Sequence, residues 1–242
     1  MNLFDWKKMT SYDTLTAVGA RQTVADNVYQ QLKLLLLDGE VQPGERMTLR
    51  TLAQTLNTSP MPVREAASRL VSEGAWLSAP NKGFFVPEPS IAQLREIVTI
   101  RCHVEGLAAS HAATNMTAEE LATLENHVLE FDRLGSAEKT DVRRIIQANR
   151  KLHFLVYNAS RMPMLVKIIE SIWLKVAPIF AQTMHKQGRD LQAWSSFSHH
   201  RNLLHALQQQ DAIRAQQAIV ADISDAAAYI ETVSYHLSLI HI

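Results

Sequence analysis

Cysteine occurs once, at Cys102, so no disulfide framework is open within the chain, and a lone thiol is the usage of a reducing, cytosolic compartment. Net charge is absent as well: 24 Lys and Arg balance 24 Asp and Glu, which excludes attraction to nucleic acid or membrane by bulk charge. No long hydrophobic run exists. The most apolar stretch, "LKLLLLDG", is far too short to cross a bilayer and reads as the buried face of a helix, and no signal peptide is evident. Enzyme signatures are missing too: there is no nucleophile with an adjacent base, no phosphate loop and no paired carboxylates at a defined spacing. Glycine is scarce, with eight in 242 residues, and beyond residue 90 strand patterning gives out.

What remains is helix, in two grammars. The length suits one large domain or two smaller ones with ample core. The first twenty residues lack a clear pattern and read as a flexible leader; "TLRTLAQTLN" reads as a short helix capped by Thr48. After a tight turn, "NTSPMPVREAASRLVSEG" places Pro60 and Pro62 where prolines are tolerated, in a first helical turn, with Thr58 or Ser59 as the cap. Val63, Ala66, Ala67, Leu70 and Val71 then share one face, Arg64 projects near the helix start, and Gly74 ends it. Two short helices around a tight turn, with arginine at the leading end of the second, form the pattern of a helix-turn-helix. "AWLSAPNKGFFVPEPS" follows as a β-hairpin with Lys82 and Gly83 at its tip. From Arg46 to Lys82 five basic residues face two acidic ones, a local net charge of +3 on the expected DNA face. An ordinary helical hairpin with solvated arginines is the alternative reading of the same spacing.

Within Val41–Ser90, the dispersed matches Pro43-Gly44, Leu52-Ala53, Pro62-Val63-Arg64-Glu65-Ala66, Arg69-Leu70, Glu73-Gly74 and Lys82-Gly83-Phe84 stand in register. In these the segment resembles the winged helix-turn-helix of the GntR superfamily of bacterial transcription regulators. The resemblance implies that Arg64 contacts the major groove and that Lys82 and Gly83 lie near the minor groove. By position in the motif, Arg50 and Ser59 join the expected DNA contacts, and Arg69 is counted with them. Family members often carry arginine where this chain has Pro60, so one major-groove contact is expected to be missing or replaced.

"FVPEPS" then acts as a linker, and helices are expected at about 90–114, 118–134, 140–160, 163–187, 190–209 and 211–236, an antiparallel bundle of the kind that places binding sites between facing helices. The expected fold class is mainly α: an N-terminal winged helix-turn-helix over 21–87 and an all-α bundle over 88–236, after a leader at 1–20 and before a tail at 237–242. "RCHVEGLAASHAA", "NRKLHFLVYNAS" and "HHRNLLHALQQQDAIRAQQAIVADI", in that order, resemble the FCD domain, the effector-binding and dimerisation domain of the FadR-type subfamily.

Asn149 and His153, at i and i+4, share a helical face. Many FCD domains hold a divalent metal with one aspartate and three histidines. On this chain the resemblance puts those positions at Asn149, His153, His200 and Asp222, an amide replacing the carboxylate and a carboxylate replacing the third histidine. Two imidazoles and a carboxylate suffice for Zn or Ni with a position left open; a metal-free pocket bonded within itself or to an effector is the alternative. His199 and His205 are expected on other faces. Arg101, four residues before Glu105, reads either as a surface ion pair or, as the resemblance implies, as a bidentate grip on a carboxylate effector that His153 and His200 also line. Met162, Met164, Ile168, Ile169, Trp173 and Ile179 read as core. The whole reads as a homodimeric regulator of inverted-repeat operator DNA governed by a small organic acid. A metal-dependent helical enzyme and a helical interaction module are the competing classes.

Overall fold

The computed structural model describes residues 23–79, 83–137, 141–185 and 194–240, with side chains described to residue 233. Among these, α1 (Val24–Leu37) opens the head, with Thr23 and Asp26 closing a reciprocal cap on its first turn. Leu32, Leu36 and Leu37 of the apolar run are buried, while Leu34 is 44% exposed. A two-residue strand β1 (Arg46–Met47), helices α2 (Leu49–Thr55) and α3 (Pro60–Ser72), and strands β2 (Leu77–Ala79) and β3 (Gly83–Phe85) complete the head. The strands form one antiparallel sheet in the order β1-β3-β2, so the wing is stitched to the start of the head by β1, which is too short to leave a pattern in the sequence.

Helix α3 follows the expected grammar, with one exception. Val63, Ala66, Ala67 and Leu70 are buried, and Gly74 reverses the chain at φ 69°. Ser59 is the N-cap residue, yet its side chain makes no cap hydrogen bond. The reason lies three residues on: Pro62 has no N–H to offer a capping hydroxyl. The prolines preset the first turn, and the Ser59 hydroxyl stays available.

Among the described residues six helices form the bundle: α4 (Ile91–Asn115), α5 (Ala118–Gly135), α6 (Val142–Ala159), α7 (Pro163–Met184), α8 (Ser196–Gln208) and α9 (Ala212–Ile240). Their number and order match the sequence reading. Ends differ by a few residues, and α9 continues to Ile240, into the segment expected to be a tail. Helix α4 is central, packed on α9, α6 and α7, and Ala108, Ala109 and Ala112 allow the close approach. Ser90 and Thr117 cap α4 and α5 with reciprocal bonds to Gln93 and Glu120.

Head and bundle share one hydrophobic core, running from Leu32, Leu70 and Trp76 to Ala109, Leu152 and Ile219. Around it lies a polar seam. Asp38, at the end of α1, accepts from Arg150 Nε at 2.7 Å and Gln147 Nε2 at 3.2 Å on α6. Lys33 pairs with Glu170 at 2.6 Å, and Glu40 pairs with Arg143. Gly39, at φ +66°, fits against α7 so closely that a Cβ there would lie 2.1 Å from that of Ala181, which only glycine avoids.

Candidate functional site: a buried polar cluster and an exposed helix-turn-helix face

The bundle gathers its chemistry at one point. On α6, Asn149, His153 and Tyr157 recur every four residues and form one stripe. Helix α8 brings His200, α9 brings Asp222, and α4 brings Arg101 and Glu105. All but Arg101 are buried; Glu105 has no exposure at all. A cavity of about 40 Å³ is lined by Arg101, Asn149, His153, Trp173, Asp222 and, from the head, Leu37. That volume admits an ion with water or a ligand of few atoms, so a larger effector has to displace side chains.

His153 Nε2, His200 Nε2 and Asp222 Oδ2 point at one another, with separations of 3.3 Å between the imidazoles and 3.2 and 3.8 Å to the carboxylate. Corners of a triangle with these edges lie about 2.0 Å from a common centre, the bond length of zinc to nitrogen or oxygen. Among the described residues His200 Nδ1 and Asp222 Oδ1 have no hydrogen-bond partner although both are buried. Burial alone would push the Asp222 carboxyl up, but the His200 and His153 rings hold it well below the usual carboxylate range. Burial pulls His200 down, against the opposing pull of Asp222. Three of the four expected positions therefore converge in a geometry that fits a divalent metal. Asn149 stands one turn from His153 in the cavity wall.

Behind the cluster runs a chain of hydrogen bonds. Arg101 donates from Nε to Glu105 Oε1 at 2.6 Å and from Nη2 to Oε2 at 3.2 Å. The Tyr157 hydroxyl donates to Glu105 Oε2 at 2.5 Å and contacts His153 Nδ1 at 2.8 Å. Burial first, then the Glu105 charge, push the Tyr157 hydroxyl well above the ordinary tyrosine range, so it keeps its proton. Arg101 forms the expected i,i+4 ion pair, though with side chains only 14% and 0% exposed rather than at the surface, and it also lines the cavity, its guanidinium 5.3 Å from the Trp173 ring centre. Nε and one Nη2 hydrogen go to Glu105, which leaves the second Nη2 hydrogen and Nη1 as the donors for a ligand.

Sequence reasoning missed Tyr157, Glu105 as the meeting point, and Leu37; it assigned Trp173 to the core, where it is 5% exposed yet also lines the cavity. The spacing of Tyr157 from His153 was the available signal. His199 pairs with Asp225 at 2.7 Å and His205 lies beside Gln209, so neither enters the cluster, as expected.

On the head, Arg50, Ser59 and Arg64 are exposed, and a groove around the helix-turn-helix turn is lined by Arg50, Gln54, Asn57, Thr58, Ser59 and Pro60. Asn57 takes φ 47° there, a left-handed turn residue of the kind asparagine tolerates. Gly83 has a structural reason of its own: at φ +83° a Cβ would meet the Met47 carbonyl at 2.4 Å. Lys82 lies outside the described residues. Arg69 sits apart from the Arg50–Arg64 face. It pairs with Asp26 at 2.8 Å and stacks 3.9 Å from the Tyr29 ring centre, on the side where α3 meets α1.

Comparison with known proteins agrees with this architecture. Residues 24–86 match the bacterial regulatory proteins of the gntR family, and residues 96–225 match the FCD domain. The chain is 38% identical over 151 residues to the HTH-type transcriptional regulator McbR of Escherichia coli (strain K12), covering 62% of this chain and 67% of that one. It is 27% identical over 217 residues to the "Probable D-xylose utilization operon transcriptional repressor" of Paenarthrobacter nicotinovorans, covering 89% and 91%. A solved structure of E. coli McbR/YncC superposes with a TM-score of 0.81 at 30% identity, over 88% of this chain and 99% of that one. Winged head, helical bundle and matched families together place the chain in the GntR family of bacterial regulatory proteins, among the transcription regulators that carry an FCD domain.

Proposed function

We propose that the protein is a cytoplasmic, homodimeric repressor that binds an inverted-repeat operator through two heads and releases it when a small carboxylate enters the bundle cavity. One observation carries this reading. The cavity that holds Arg101, His153 and Asp222 is walled by Leu37, the last residue of α1, and α1 packs directly on the recognition helix α3. Next to Leu37, Asp38 is held by Gln147 and Arg150, which flank Asn149 of the same wall. A ligand that displaces the wall therefore acts on α1 and on the placement of α3, which is the differential contact an allosteric coupling requires. Arg50, Ser59 and Arg64, with Lys82 and Gly83 of the wing, form the DNA face, and Arg64 reads a base edge. Ile100 and Leu107, on one face of α4 and 43% and 41% exposed, support a second copy as their cover. Action is by binding, without turnover.

Charge supports a resident metal. Arg101 is cancelled by Glu105, so Asp222 leaves the cavity negative, and an anion is favoured there only after a cation is seated. His153, His200 and Asp222 would hold a divalent ion such as Zn or Ni, with Asn149 at the rim as at best a weak ligand. When bound, the ion supplies an open coordination position and positive charge for the carboxylate, beside Arg101 Nη1.

The test is selection of genomic fragments by the purified protein at moderate salt, with Arg64→Ala in parallel. Enrichment of one inverted repeat by the wild type alone is expected. Enrichment by both proteins removes Arg64 from the DNA face, and enrichment by neither, in the absence as well as in the presence of a metabolite pool, sinks the regulator mechanism. Metal analysis of the purified wild type, followed by His153→Ala, tests the ion: a wild type free of metal after exposure to Zn²⁺ and Ni²⁺ refutes it.

A further inference from the structure

We propose that Glu105 and Tyr157 are positioning residues for the metal site, which fix His153 in the one tautomer that leaves its Nε2 lone pair facing His200 and Asp222. The assignment rests on the metal reading above and adds residues outside the ligand set, on α4 and on the next turn of α6.

The inference is proton counting along observed contacts. Glu105 is ion-paired with Arg101 and totally buried, so it is an acceptor only. The Tyr157 hydroxyl has one proton, and the 2.5 Å contact spends it on Glu105 Oε2. Toward His153 the tyrosine oxygen therefore has only lone pairs left, and the 2.8 Å contact requires that His153 Nδ1 be the donor. A neutral imidazole protonated at Nδ1 is bare at Nε2, and Nε2 is the atom that faces Asp222 Oδ2 at 3.2 Å. Without Tyr157 the alternative tautomer is favoured, because an Nε2 proton would bond to the Asp222 carboxylate and block the metal. The ring is also held in orientation by Trp173, its centre 5.4 Å away, so the hydrogen bond sets the proton while packing sets the plane. Outer partners of this kind typically change metal affinity roughly 10–100-fold when removed.

Glu105 has a second role in the same geometry. Its two oxygens hold Arg101 as well as Tyr157, so the effector-facing guanidinium and the metal-facing imidazole hang from one carboxylate.

Zn²⁺ is the probe. Its dissociation constant is measured by competition with a chromophoric chelator for wild type, Tyr157→Phe and Glu105→Gln. Phe154→Leu serves as the packing control, since Phe154 contacts the rings of Tyr157 and Trp173 and has no polar atom. Tyr157→Phe is expected to weaken Zn²⁺ binding roughly 10–100-fold, and Phe154→Leu less than about 2-fold. In parallel, ¹⁵N spectra of metal-free protein labelled at histidine report the tautomer. The wild type is expected to show His153 protonated at Nδ1, and Tyr157→Phe to move it toward Nε2. Unchanged Zn²⁺ affinity in Tyr157→Phe, a wild-type His153 protonated at Nε2, or an equal loss in Phe154→Leu each overturns the assignment. Failure of the wild type to bind Zn²⁺ overturns the metal reading and this assignment together, whereas the other outcomes leave the metal reading standing.

Discussion

Removing the Asp38 carboxylate should weaken the seam between head and bundle, and the structure sets the size of the effect. Asp38 ends α1, where the helix macrodipole is negative and a carboxylate is out of place by about 0.3–1 kcal/mol. Its partners offset that cost: Arg150 Nε at 2.7 Å and Gln147 Nε2 at 3.2 Å, with the Arg150 and Asp38 side chains only 19% and 14% exposed. Hydrogen bonds between charged groups in such surroundings contribute about 1.5–3 kcal/mol. Asp38→Ala alone should therefore cost about 2 kcal/mol, and Arg150→Ala about the same, since each strands a partly buried charge. In the Arg150→Ala background the remaining Gln147 bond and the dipole repulsion nearly cancel, so adding Asp38→Ala should cost less than about 0.5 kcal/mol. The expected coupling is then about 1.5 kcal/mol. Urea denaturation of the four proteins at low salt, at matched m-values, measures it. An additive cycle, with coupling below about 0.5 kcal/mol, would refute the view that Asp38 holds the seam. The Lys33–Glu170 and Glu40–Arg143 pairs are untouched throughout, so none of the variants should lose the head altogether.

Other perturbations separate roles that look alike in sequence. Arg64→Ala should weaken operator binding by about 1–3 kcal/mol if it reads a base edge, measured by titration at fixed salt; unchanged affinity removes it from the interface. Arg69→Ala should instead cost about 0.5–1 kcal/mol of stability through the lost stacking on Tyr29 and leave operator affinity within about 2-fold, because the side chain faces α1; a large affinity loss with unchanged stability would return it to the DNA face. The Tyr29 and Tyr157 hydroxyls are both raised, by burial first and by Glu73 and Glu105 next. A group raised on folding stabilises below its unfolded value, so the protein should keep this stability up to about pH 10 and lose it as pH climbs further. Alkaline unfolding should be less steep in Tyr29→Phe and in Tyr157→Phe; identical profiles in wild type and both variants would contradict the shifts.

Local rules made most of the helices readable. The prolines, Gly74 and the period of α3 named its ends and its buried face, because each of those signals acts within one or two turns. Where a contact depended on two helices meeting, the sequence was silent. Tyr157 and Glu105 are 52 residues apart and touch only because α4 and α6 cross, and nothing in either segment announces it. Arg69 lies on the recognition helix, as read, but helical phase turns it toward Asp26 and Tyr29, a tertiary contact the motif does not announce. His153, His200 and Asp222 were found from three separate helices through family resemblance, whereas Leu37 was read only as part of an apolar run. Strand β1 has two residues, fewer than any alternation needs to show itself.

The shared core has a thermodynamic consequence for the head. Because Leu70 of α3 belongs to the same packed cluster as Leu152 and Ile219 of the bundle, the two halves should open as one cooperative unit. A ligand present at a hundredfold excess over its Kd then adds about 2.7 kcal/mol to that whole unit. The amides of α3 that exchange only through global opening should slow about a hundredfold on effector binding, although α3 contributes no residue to the cavity wall. In the proposed mechanism the effector would then release the operator from a head that has become harder to unfold: affinity for DNA would fall while the recognition helix itself gained protection.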